Sequence, residues 1–165
     1  MNGLLKLVAI TCLISGCQTP QATSASSSPP NESLVYEQGP CFGFCPVYRF
    51  EVQRDGQYVY IGERHTQQTG RHQGVLMAEQ TEKLFSLYQS IQSLSLPERI
   101  DSAHCQLYAT DHSYLRLSYQ HENASWSLHH DLGCHEFDKR EALLELEQQI
   151  QRVLPINRWV NPVDQ

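Results

Sequence analysis

Residues 47–62 read VYRFEVQRDGQYVYIG, and the fold turns on how this stretch pairs. From Val47 to Gln53 the residues alternate. Tyr48, Phe50 and Val52 fall on one face, and Arg49, Glu51 and Gln53 on the other, the period-2 mark of a strand buried on one side. Asp55-Gly56 supplies the residue types that a tight hairpin turn requires. Gln57 to Gly62 then returns with aromatic and β-branched residues on both faces. The stretch reads as an antiparallel hairpin.

The pattern continues outward. Arg64 to Gly74 is polar with two glycines and reads as a loop. From Glu79 to Leu94, the residues Thr81, Leu84, Phe85, Tyr88 and Ile91 recur at the helical period, and Pro97 follows. Ser113 to Gln120 alternates again, with Leu115, Leu117 and Tyr119 inward and Arg116, Ser118 and Gln120 outward. His121 to Ala124 is a turn, and Ser125 to His130 places Trp126 and Leu128 inward and Ser125, Ser127 and His129 outward. Asp138-Lys139-Arg140-Glu141 has the form of a capping box. Leu143, Leu146, Ile150 and Leu154 then line one face of a helix that Pro155 stops.

This order predicts an α+β domain, a two-layer ββαββα sandwich. Its antiparallel four-stranded sheet, with a fifth strand from Leu34 to Tyr36 as an addition, is covered on one face by two helices. Tyr48, Phe50, Tyr88, Trp126 and Leu146 are expected in the core, and Trp159 is expected to plug it.

Composition narrows the class. The chain has 165 residues, 12 Lys and Arg against 18 Asp and Glu, and a formal net charge of −6. The length suits one domain. No apolar run approaches the roughly 18 residues of a spanning helix, so a polytopic membrane protein is excluded. The acidic balance argues against nucleic acid as a partner.

At the start, Lys6 precedes an eight-residue, mostly apolar run from Leu7 to Ile14, the dimensions of a signal-peptide core. Leu13-Ile14-Ser15-Gly16-Cys17 resembles the bacterial lipoprotein signal. That resemblance implies that residues 1–16 are removed and that Cys17 carries acyl chains such as palmitate. Gln18 in place of Asp favours the outer membrane. Acyl chains contribute about 0.8 kcal/mol per buried CH₂, so such an anchor is stable. Residues 17–33 then read as the lipidated cysteine and a disordered tether rich in Ser, Thr, Pro and Ala. Residues 34–160 form the single α+β domain, and residues 161–165 a tail. The expected setting is the bacterial cell envelope, facing the periplasm or the surface.

Gly39-Pro40-Cys41-Phe42-Gly43-Phe44-Cys45-Pro46-Val47-Tyr48 is the most distinctive stretch. It resembles the opening of an uncharacterised bacterial envelope domain family of unknown function, marked by Cys-Phe-Gly-x-Cys-Pro-x-Tyr ahead of a strand and an Asp-Gly hairpin. Asp55-Gly56, Tyr60-x-Gly62, Gly70, Thr110-Asp111, Asp131-Leu132-Gly133 and Arg158-Trp159-Val160 fit the same pattern. The resemblance spans about residues 38 to 160 and implies a fold but no activity.

Cys41, Cys45, Cys105 and Cys134 fall within the folded domain. Four cysteines in a small envelope domain imply two disulfides, for which three pairings are open. Cys41–Cys45 with Cys105–Cys134 is favoured. Gly43 gives the first pair its sharp loop. The second pair flanks the second hairpin, whose closure brings its ends together. The alternative is a copper, zinc or thiol-redox carrier using Cys41 and Cys45, because Cys-x-x-x-Cys-Pro also resembles a copper-chaperone motif. Against it, a strand rather than a helix follows Pro46.

No phosphate loop, nucleophile elbow or His-Glu-x-x-His motif is present, so no catalytic residues and no cofactor are assigned. The expectation is a non-enzymatic module that binds, inhibits or scaffolds another envelope protein and reaches the membrane through its lipid. Its candidate binding face is Arg49, Glu51, Gln53, Arg116, Ser118, Gln120, Ser127 and His129.

Overall fold

A computed structural model describes residues 32–122 and 124–160. The expected leader (residues 1–16), Cys17, most of the expected tether and residues 161–165 lie outside the described residues. The elements run in the order β1 (Glu32–Gln38), β2 (Val47–Gln53), β3 (Gln57–Arg64), β4 (Gly70–Val75), α1 (Ala78–Ser93), β5 (Arg99–Ile100), β6 (Leu107–Tyr108), β7 (Tyr114–His121), β8 (Ala124–Asp131), β9 (Cys134–His135), α2 (Arg140–Val153) and α3 (Ile156–Trp159).

The main sheet has seven strands rather than four, in the order β4-β3-β2-β1-β7-β8-β5. Both expected hairpins are present, β2 with β3 and β7 with β8. The strand expected as an addition is the centre. β1 pairs antiparallel with β2 on one side and β7 on the other, and so joins the two halves. It begins at Glu32, so the last two residues assigned to the tether belong to the sheet. β4 replaces the expected loop. It is an edge strand whose Arg71-His72-Gln73-Gly74 lacks apolar alternation because an edge has little core to face. β5 is two residues long and runs parallel to β8, so the sheet is not wholly antiparallel. β6 and β9 form a separate two-stranded ladder.

One face of the sheet carries the core. Leu34 and Tyr36 of β1, Phe50 and Val52 of β2, Leu117 of β7 and Leu128 of β8 are buried there. Such burial contributes about 1.5–3 kcal/mol for each large apolar side chain. From above, α1 adds Leu84, Phe85, Leu87, Tyr88 and Ile91 to the same cluster, and α2 adds Leu143 and Ile150. Leu146 and Trp126, expected inside, are only partly buried and pack against the cluster's edge.

Polar contacts fix the helices. The Tyr88 hydroxyl donates to the Val35 carbonyl at 2.7 Å. Gln151 Nε2 donates to the Tyr36 hydroxyl at 2.8 Å. The start of α1 is closed by Gln80, whose Oε1 accepts from the Met77 backbone N–H at 3.0 Å. The capping box expected at Asp138 does not form. Lys139 takes the N-cap position in left-handed conformation (φ 60°) with no side-chain cap. Its ammonium instead donates to the Leu94 carbonyl at 2.7 Å, where α1 ends and carbonyls lack helical partners. Trp159 is 8% exposed, stacks on Tyr60 at 5.5 Å and donates its indole N–H to the Tyr58 hydroxyl at 3.2 Å. It plugs the core. Among the described residues, no helix is long and apolar enough to cross a membrane.

Candidate functional site

The helices cover one face and leave the other open. Strand alternation and register bring all eight candidate residues onto that open face. Across the sheet, Arg49, Glu37, Arg116, His129 and Arg99 stand opposite one another in successive strands. Glu37 was not among the candidates, yet it occupies the centre. Arg116 lies 3.1 Å from Glu37 Oε1 and Arg49 lies 4.0 Å from Oε2. The Tyr114 hydroxyl donates to Oε1 at 3.0 Å. Arg49 also reaches Glu51 at 3.2 Å, and Gln53 reaches Glu51 at 3.5 Å. The signal for Glu37 was available in principle, since it is two residues beyond Val35 in a strand. Its centrality depends on register, which local alternation does not specify.

His129 sits in this row with its ring on Tyr114 at a 4.7 Å centroid separation. Burial, together with the guanidiniums of Arg99 and Arg116, holds it below the usual imidazole range. Tyr114 is pushed up by burial and by the hydrogen bond to the Glu37 carboxylate.

Beside the charged row, Ser33, Val35, Ser118, Gln120, Ser125 and Ser127, with Glu98 and the larger Tyr119 and Trp126, line a shallow depression of about 250 Å³. Three of the eight candidates, Ser118, Gln120 and Ser127, line it. Its hydroxyls and amide both donate and accept. The depression can receive polar groups or a strand of partner backbone. His129 lies on the open face, while His130 points into the core and places Nδ1 2.8 Å from Glu147 Oε1. Glu147 was also missed, although it is in helical phase with Leu143, Ile150 and Leu154.

The four cysteines among the described residues lie at one end of the sheet. Cys41 and Cys45 stand at disulfide distance with Cα atoms 5.7 Å apart. Cys105 and Cys134 do likewise at 5.5 Å. Gly43 has a φ of 152°, in the region that glycine tolerates best, and this lets the five-residue loop close. Phe42 and Phe44, on either side of it, are 89% and 88% exposed. Among the described residues, no group of three or more His, Cys, Asp or Glu side chains is placed to hold a metal ion.

No curated protein matches the chain. A family model described as a domain of unknown function, DUF6438, matches residues 32–154, the span from β1 through α2. The chain belongs to the DUF6438 family.

Proposed function

We propose that the chain is a lipid-anchored envelope protein whose folded domain binds another envelope protein through its open sheet face, without catalysis. The observation that carries this reading is the bare face itself. The helices among the described residues lie on one side of a seven-stranded sheet, and the other side presents a row of charges and a depression lined partly by hydroxyls. The anchor rests on the sequence Leu13-Ile14-Ser15-Gly16-Cys17. The charges are largely paired with one another, so free binding energy comes from desolvating and matching the face rather than from one unpaired ion.

Photo-crosslinking in cells tests it. Crosslinkers placed at Arg49, Arg116 and Ser127 of the full chain are expected to capture one and the same protein. A crosslinker at Glu145, exposed on α2, is expected to capture none. Different random captures from the three positions, or equal capture from Glu145, overturn the reading.

A further inference from the structure

The two cysteine pairs differ in what surrounds their sulfurs. Cys134 is 1% exposed and belongs to the apolar core, and Cys105 packs against that core. Their sulfurs lie 3.4 and 3.2 Å from one backbone oxygen, the Asp101 carbonyl. Cys134 is also held in the β6–β9 ladder, opposite Tyr108. Cys41 and Cys45 stand outside the core, and both are partly open to solvent. The three residues between them, Phe42, Gly43 and Phe44, are all exposed.

Thiol–disulfide exchange makes two demands. An attacking thiolate must reach one sulfur, and the sulfur it displaces must leave as a thiolate. At Cys41–Cys45 either sulfur can be reached, and solvent stabilises whichever one leaves. At Cys105–Cys134 the two demands conflict. Attack on the more open Cys105 drives a negative charge onto Cys134, where apolar surroundings disfavour it. Attack on Cys134 is blocked by its burial.

The pairs also differ in what they hold. Cys105–Cys134 spans a sequence separation of 29 and brackets the β7–β8 hairpin. Cys41–Cys45 spans a separation of 4, and no strand or helix begins or ends between its cysteines. Opening it therefore leaves the sheet and the helices in place. The segment from Phe42 to Phe44 loses its covalent constraint and keeps the bond from the Phe42 N–H to the Asp111 carbonyl at 3.1 Å.

We infer that Cys41–Cys45 is a reversible exchange site for dithiols, whose opening frees the Phe42–Phe44 loop, and that Cys105–Cys134 is a permanent crosslink. One thiolate of the dithiol attacks Cys41 or Cys45 and forms a mixed disulfide, and the other cysteine leaves as a thiolate. The second thiolate of the dithiol then attacks the dithiol's own sulfur in that mixed disulfide. This closes the dithiol into a disulfide and releases the remaining cysteine. Two electrons pass from the dithiol to the pair, and the two protons of the dithiol end, through solvent, on the two cysteines. The site is independent of any binding by the open face.

The test treats the oxidised full chain with limiting dithiothreitol, traps free thiols with a maleimide and maps the labels by peptide mass. Cys41 and Cys45 should label together, at least about tenfold faster than Cys105 and Cys134. Tryptophan fluorescence should remain that of the folded domain, because Trp159 stays stacked on Tyr60. A chymotrypsin-like protease should cut after Phe42 or Phe44 in the reduced chain and much more slowly in the oxidised one. Oxidised glutathione should restore both the pair and the resistance. Equal labelling of all four cysteines, faster labelling of Cys105 and Cys134, no labelling, or labelling only with loss of the tryptophan signal each overturn the inference. So do equal cleavage before and after reduction and failure of the pair to re-form.

Discussion

His130 Nδ1 lies 2.8 Å from Glu147 Oε1, and both side chains are almost wholly enclosed between β8 and α2. Phe137 closes the site, edge-on to the His130 ring at 5.4 Å. The pair joins the second hairpin to the second helix through the core. Removing one partner strands the other in an apolar setting, whereas replacing both does not. Glu147→Ala is expected to cost about 3 kcal/mol in urea unfolding. The double variant His130→Leu/Glu147→Leu should recover most of that loss. A double variant as unstable as the two single losses combined would show that the residues do not act as a pair.

The buried tyrosines set a pH limit. Burial pushes Tyr36, Tyr48 and Tyr88 above the ordinary phenol range. The unfolded chain releases its phenolic protons near pH 10, while the folded chain keeps these three. Above that pH the unfolded state binds fewer protons, so stability is fully present below about pH 10 and falls as pH rises beyond it. Urea midpoints should be flat through neutral pH and drop above about 10. Absorbance of tyrosinate should show a late-ionising fraction that appears with unfolding. A midpoint unchanged well above that pH contradicts the burial.

The cysteine pairs should leave a mass signature. Each disulfide forms with the loss of two hydrogens, so the folded domain should be about four daltons lighter than its reduced form and inert to thiol reagents. In the chain-entropy model, Cys105→Ser/Cys134→Ser costs about 3–4 kcal/mol, because it opens a loop of sequence separation 29. Cys41→Ser/Cys45→Ser costs about 2 kcal/mol, because its loop is short. Reactive thiols carrying stoichiometric copper or zinc would instead favour a carrier role.

Gly39 joins the Phe42 loop to the sheet. Its N–H donates to the Tyr114 carbonyl at 3.0 Å, and its carbonyl accepts from the Ser113 hydroxyl at 2.6 Å. A Cβ there runs into the Tyr114 ring. Gly39→Ala should therefore destabilise the domain by about 1–3 kcal/mol in urea unfolding, through displacement of Tyr114. Gly70→Ala is also strained, but only by its backbone, since nothing stands near a Cβ at that position. Equal costs for the two variants would remove the packing explanation.

Much of this was legible in the chain. The two hairpins and both long helices announce themselves by period, and alternation places each of the eight candidate residues on the outward side of its own strand. Alternation carries no information about neighbours in space. Leu34 to Tyr36 reads the same whether β1 is an edge or the centre. The placement of Glu37 between Arg49 and Arg116 is a property of register. β4 was illegible because Arg71-His72-Gln73-Gly74 spells a loop. Phe42 and Phe44 mislead in the other direction, since aromatic residues suggest burial and both are exposed. Glu147 misleads the opposite way, a charged letter on an apolar helical stripe that is buried because its partner, His130, comes from β8.

The proposed role of the open face is to bind a protein. Its most direct test is the affinity of the partner captured from that face, purified and titrated against the full chain. Ser118→Arg, which fills the depression, should weaken binding at least about tenfold while leaving stability within about 0.5 kcal/mol of wild type. Glu145→Arg, on the exposed side of α2, should bind as wild type. Equal affinity for wild type and Ser118→Arg, or a loss produced as strongly by Glu145→Arg, would rule out the open face as the binding surface.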